Sequence, residues 1–214
     1  GESSGILASR EYVEKLNARG AKKTWTIGDT LSASIGQSYN TFTPIQMCYY
    51  IATLANRGVK NNVTIVKSVI DAEGNILDKT EIEKAIHEKY GITEQELENV
   101  QISNETLNAI YEGMRSVTGD SGGSAYGTFS SFPIEVAGKT GTATAGSGSD
   151  NAWFVGFAPY HDPEIAVVAI IEGGGEGTYT AHVVRPIMEE YFKISTEDKS
   201  NDKVQNVVEN NIQF

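Results

Sequence analysis

Cysteine occurs once in these 214 residues, at Cys48, so no disulfide can close within the chain and no thiolate cluster can hold a metal. Its neighbours Met47, Tyr49 and Tyr50 continue a helical pattern, which predicts an ordinary buried thiol. Histidine occurs three times. His161 and His182 lie far apart and lack ligand spacing, so neither a metal site nor a cofactor is expected. Positive charge is scarce: 17 Lys and Arg face 28 Asp and Glu, a formal net charge of −11. A surface this acidic argues against nucleic acid as a partner, because phosphate binding relies on clustered basic residues. No run of 18 apolar residues exists, and no charged-then-apolar leader follows Gly1, so the chain is not expected to insert in a membrane. Hydrophobic residues at 39% and charged ones at 21% are compatible with a packed core.

Residues 1–30 are rich in Gly, Ser and Lys. They read as loop, with one short helix around Glu11–Ala18. A chain that starts inside a loop without a capped element is expected to be a piece of something longer. Thr43-Pro44-Ile45-Gln46 opens a helix: Thr and Gln form a capping box, and Pro sits at the first helical position. Met47, Tyr50, Ile51 and Leu54 then recur at helical spacing, and Arg57-Gly58 supplies the stop. Residues 63–79 read as a hairpin around Asp71-Ala-Glu-Gly74-Asn75, and residues 80–100 as a charged, helix-prone excursion. A second amphipathic helix is expected from Ser103 to Gly119, with Leu107, Ile110, Tyr111, Met114 and Val117 on one face.

Gly122, Gly123 and Gly127 mark a loop that reads as flexible. Three strands are expected after it, over Ile134–Ala143, Ala152–Ala158 and Ile165–Ile171. The loops between them are short, which implies antiparallel neighbours. Trp153 and Phe154 alternate on the second strand, so one of them belongs to the core. Gly173-Gly174-Gly175 connects the last strand to a helix over Thr180–Phe192, which Pro186 should kink or delay. Residues 195–214 are polar and lack an apolar face, so they read as a flexible tail after a domain over 1–194. The pattern as a whole predicts an α/β fold, an antiparallel sheet flanked by helices.

Lys139-Thr140-Gly141-Thr142 lies on the first of the three strands. A K-T-G triplet alone is a weak signal, and the bland reading is a surface strand with an exposed lysine. Its surroundings sharpen it. Val136-Ala-Gly-Lys139-Thr-Gly-Thr-Ala143 followed by Ala152-Trp-Phe-Val-Gly-Phe-Ala-Pro159 resembles two sheet strands of penicillin-binding proteins. Ser34-Ile-Gly-Gln37, Thr43-Pro-Ile-Gln46, Ala55-Asn-Arg-Gly58, Glu112-Gly-Met114 and Arg185-Pro-Ile-Met-Glu-Glu-Tyr-Phe192 match further segments in order, as does Gly1-Glu2-Ser3-Ser4-Gly5-Ile6-Leu7. The resemblance covers about residues 1–192. It is strongest to the C-terminal part of the transpeptidase domain of class B penicillin-binding proteins.

That family uses three motifs, S-x-x-K, S-x-N and K-T-G. The resemblance implies acyl transfer from D-Ala-D-Ala stem peptides in peptidoglycan cross-linking, with β-lactams as ligands and the cell-wall synthesis machinery as partner. It also implies a parent protein anchored in the bacterial membrane, with this domain on its outer side. Lys139, Thr140 and Gly141 are the implied catalytic motif, and Thr140 and Thr142 the implied substrate-binding hydroxyls. The sequence departs from the family in one respect. Its only S-x-x-K, Ser200-Asn-Asp-Lys203, falls in the polar tail, and Ser38-Tyr-Asn40 and Ser149-Asp-Asn151 are both out of order as S-x-N. The two functional motifs are expected upstream of Gly1, in the N-terminal part of the same domain, and this chain is expected to be inactive alone. Two other readings share K-T-G: a β-lactam-sensing receptor domain and a serine β-lactamase. The long 60–118 segment favours the transpeptidase.

Overall fold

The computed structural model describes residues 3–91, 97–144 and 148–194; the tail over 195–214 and Ser200–Lys203 lie outside the described residues. The chain runs α1 (Arg10–Ala18), α2 (Ile27–Ser34), α3 (Pro44–Ala55), α4 (Lys79–Tyr90), α5 (Asn104–Gly119), α6 (Tyr126–Phe129), β1 (Ala137–Ala143), β2 (Asn151–Ala158), β3 (Ile165–Ile171) and α7 (Gly177–Tyr191). The three strands form one antiparallel sheet in the order β1-β2-β3. Helices cover both faces, as the strand meander implied: α7 and α6 on one, α3 and α5 on the other.

Strand alternation feeds both cores. Phe154 is fully buried towards α7, packed with Val184, Met188 and Phe129, while Ala137 and Phe157 face Ile51, Leu54, Leu107 and Tyr111 on the other side. Gly138 pairs with Gly156 across β1 and β2. A Cβ on either would run into the Phe154 ring. The two glycines therefore clear a slot in which that ring lies across the strands.

The capping box expected at Thr43 is present, with Gln46 returning its side chain to the Thr43 N–H. The helix stops as the sequence suggested, at Arg57 and Gly58, both at positive φ. The Tyr111 hydroxyl of α5 donates to the carbonyls of Leu54 and Ala55, joining α5 to the last turn of α3. Of the expected α5 face, Leu107, Tyr111 and Met114 are buried, while Ile110 is exposed and Val117 packs at the edge of the other core.

Five expectations need correction. The hairpin over 63–79 reduces to a single bridge, Ile70 to Ile76, around the Asp71–Asn75 turn, because no neighbouring strand extends the pairing. The glycine loop after α5 holds a helical turn, α6, whose Thr128 and Phe129 are buried. Gly123 is a packing glycine, since a Cβ there would strike the carbonyls of Ser116 and Val117. The last helix starts earlier than expected, at Gly177, and continues through Pro186. α2 falls in a stretch read as loop; Thr26 and Asp29 cap it reciprocally. Cys48 is half-buried, with its Sγ 3.7 Å from the Ala166 carbonyl oxygen, and burial pushes its thiol pKa up.

Candidate active site

Lys139, Thr140, Gly141 and Thr142 lie on β1, which pairs only with β2 and so leaves its other edge unpaired within this sheet. Lys139 opposes Val155, Thr140 opposes Phe154, Gly141 opposes Trp153 and Thr142 opposes Ala152. The burial pattern changes along the strand: Ala137 and Gly138 are buried, then Lys139 and Thr142 are exposed, with Thr140 and Gly141 half-buried between them. The first half of β1 anchors the strand, and the second half presents polar groups.

Lys139 bends its ammonium back to the carbonyl of Thr140, 2.7 Å away. Near the sheet the exposed Glu135 pairs with Arg115 and His161. Thr140 Oγ1 lies 2.7 Å from Ser124 Oγ, on the loop between α5 and α6. Thr142 Oγ1 accepts from the Gly177 N–H at 3.4 Å. That N–H is one of the donors left open at the start of α7, whose N-cap residue Glu176 offers no side-chain cap. Gly177 fits there because it has no side chain: a Cβ would collide with the backbone of Gly141 and Trp153. The Gln37 side-chain amide reaches the Thr142 carbonyl at 3.5 Å. K-T-G-T is thus flanked by Ser124 on one side, Gln37 on another and the α7 N-terminus beneath Thr142.

Neither S-x-N look-alike joins this group. Ser38 sits at φ 64 with its hydroxyl 3.5 Å from Asp29 Oδ1, and Asn40 is spent on Ala8 N–H and the Gln37 carbonyl. Asn151 accepts from Gly173 N–H, and Gly175 N–H donates to the Asp150 carbonyl. Ser149-Asp-Asn151 therefore fastens the Gly173-Gly174-Gly175 connector to the start of β2. Phe154 is core and Trp153 half-buried. His182 meets Thr128 Oγ1 at 3.3 Å, behind the sheet. Among the described residues, no group of three His, Cys, Asp or Glu side chains could hold a metal ion, and no helix is long and apolar enough to cross a membrane.

Sequence reasoning missed Ser124, Gln37 and Gly177 as neighbours of the strand. Gln37 stood in a segment matched for its spacing alone. Ser124 carried no signal beyond its place in a Gly-Gly-Ser loop. Gly177 fell between the Gly173-Gly174-Gly175 connector and the helix expected from Thr180, and carried no reading.

A layered α/β fold with K-T-G on an unpaired strand edge defines the class, and comparison with known proteins agrees. The chain belongs to the penicillin binding protein transpeptidase domain family, whose model matches residues 2–190. It is 29% identical over 207 residues to the peptidoglycan D,D-transpeptidase MrdA of Haemophilus influenzae, covering 89% of this chain and 29% of that protein. It is 27% identical over 210 residues to penicillin-binding protein 2A of Bacillus subtilis, covering 86% of this chain and 27% of the relative. The crystal structure of Pseudomonas aeruginosa PBP2 in complex with WCK 5153 superposes with a TM-score of 0.68 at 29% identity, over 89% of this chain and 39% of that one. A chain from a peptidoglycan synthase complex superposes with a TM-score of 0.67 at 31% identity, over 91% and 30%. This chain spans less than a third of the length of these two curated relatives.

Proposed function

We propose that this chain is the K-T-G part of a peptidoglycan D,D-transpeptidase site, of the class B kind, that transfers the acyl group of D-Ala-D-Ala stem peptides and binds β-lactams in their place. The observation that carries this reading is the motif's position on an unpaired edge, with both threonine hydroxyls and the strand backbone within reach of an extended ligand. A peptide lying along β1 would add as a further strand. Gly141 has no side chain to hold it off. Lys139 supplies positive potential, Thr140 and Thr142 offer hydroxyls to the ligand carboxylate, and the Thr142 N–H serves as one oxyanion donor.

The nucleophilic serine, its lysine and the S-x-N motif belong to an upstream part of the same domain. Two surfaces support that division. On α2 and its C-cap, Ile27, Leu31 and Ile35 are 81%, 65% and 74% exposed, an apolar stripe at helical spacing. On β3 all seven residues are apolar, and its outer backbone edge pairs with no strand among the described residues. Both are surfaces on which further chain would pack. The parent acts with the cell-wall synthesis machinery at the outer face of the bacterial membrane, where its substrate is. Recovery of the full-length protein in the cytosolic fraction would contradict that placement.

The chain alone should form no covalent adduct with penicillin, because its sequence holds no S-x-x-K ahead of K-T-G to supply an activated serine and its lysine. Supplied with the upstream part, the assembled domain should acylate on a serine of that part. Labelling with a fluorescent penicillin, followed by intact-mass measurement, tests both statements. A stoichiometric adduct on the 214-residue chain alone would overturn the reading.

A further inference from the structure

The K-T-G hydroxyls can serve a carboxylate only as donors, and a hydroxyl has one proton. Thr142 has settled this: its Oγ1 accepts from the Gly177 N–H, a group that can only donate, so its own proton is free. Thr140 depends on Ser124, 2.7 Å away, where either hydroxyl can be the donor. If Thr140 donated to Ser124, its proton would be used up within the protein. If Ser124 donates, the Thr140 proton is left for a ligand on the open edge.

The loop that carries Ser124 is built to hold it still. Gly123 on one side packs against the C-terminal turns of α5, where a Cβ would not fit, and its N–H donates to the Asp120 carbonyl. Ala125 on the other side is 1% exposed, and its N–H donates to the Val117 carbonyl at 3.0 Å. Tyr126 N–H closes the turn onto the Gly123 carbonyl. Ser124 itself remains exposed between these two fixed residues. Its hydroxyl is therefore presented to Thr140 by backbone that cannot easily drift.

We propose that Ser124 is a positioning residue for the ligand carboxylate: it donates its hydroxyl proton to Thr140 Oγ1 and so turns the Thr140 hydroxyl outward as a donor. The proposal rests on the transpeptidase reading above. It is tested in the full-length protein by the second-order rate of acylation with benzylpenicillin and with its methyl ester, which lacks the free carboxylate. Ser124→Ala should slow benzylpenicillin about fivefold, because Thr140 keeps its proton but loses the neutral hydrogen bond that turns it outward. It should leave the ester rate unchanged, and Ser124→Thr should restore the wild-type rate. In a Thr140→Ala background, Ser124→Ala should have no further effect, because its route of action is gone. Equal loss towards both ligands, with a lowered melting temperature, would assign Ser124 a merely structural role and overturn the proposal. No loss with benzylpenicillin would overturn it too, as would additive effects with Thr140→Ala. A wild-type protein that no penicillin labels would instead sink the underlying transpeptidase reading.

Discussion

At the scale of single residues, β1 separates groups that act by charge from groups that act by hydrogen bonding. If Lys139 has the role proposed above, Lys139→Ala in the assembled domain should slow acylation roughly a hundredfold, about 3 kcal/mol, through loss of its charge; stopped-flow labelling with fluorescent penicillin would measure it. Thr142→Ala has two effects. It should weaken carboxylate recognition while keeping the Thr142 N–H, and it should also lower the melting temperature, because the hydroxyl caps the Gly177 N–H of α7 and a lost cap costs about 1 kcal/mol. Thr142→Ser should preserve both. Asp29 offers a check on pH dependence away from the site. Its carboxylate accepts from the Thr26 hydroxyl and N–H, and these bonds hold its pKa below the usual aspartate value. The unfolded chain therefore binds the proton more readily. The stabilisation is present above the unfolded-state value and disappears as pH falls through the folded one. Carboxyl NMR titration should show Asp29 titrating low, and Thr26→Ala should bring it back up.

At the scale of elements, what could be read from the sequence was what local chemistry decides. α3 and α5 declare themselves by a cap at one end, a stop at the other and an apolar stripe between. The three strands announce themselves by the short, turn-rich loops between them. What stayed hidden was set by tertiary contact. The start of α7 was missed because its capping group, the Thr142 hydroxyl, comes from a strand 35 residues earlier. The burial of the α6 turn depends on Phe129 meeting Phe132 and Phe154, which no local pattern announces. α2 was passed over because its signals are slight: Thr26 and Asp29 at capping-box spacing, and only Ile27 and Leu31 within the helix as an apolar pair. The K-T-G strand was legible as a motif, but its flanking Ser124 and Gln37 were not, since each reaches the strand from a distant loop. A direct test of the element packing is Tyr111→Phe. It leaves the buried carbonyls of Leu54 and Ala55 without their shared donor, and should destabilise the fold by about 1–3 kcal/mol in chemical denaturation.

At the scale of the whole molecule, the three-stranded sheet is covered by helices above and below, and among the described residues no further strand pairs with β1 or β3. The two sides are not alike. β1 carries Lys139 and two threonines along its free edge, and an exposed lysine there discourages a foreign strand unless that strand brings a negative charge to meet it. β3 is Ile165–Ile171, apolar throughout, with no charge to turn a neighbour away. A backbone edge does not distinguish its natural neighbour from any other extended peptide, so the chain expressed by itself should find another copy at β3. Sedimentation velocity over a range of concentrations should show this self-association, and Ile170→Lys should suppress it. The practical reading is that the difficulty of keeping this chain monomeric measures how much apolar strand edge it leaves open.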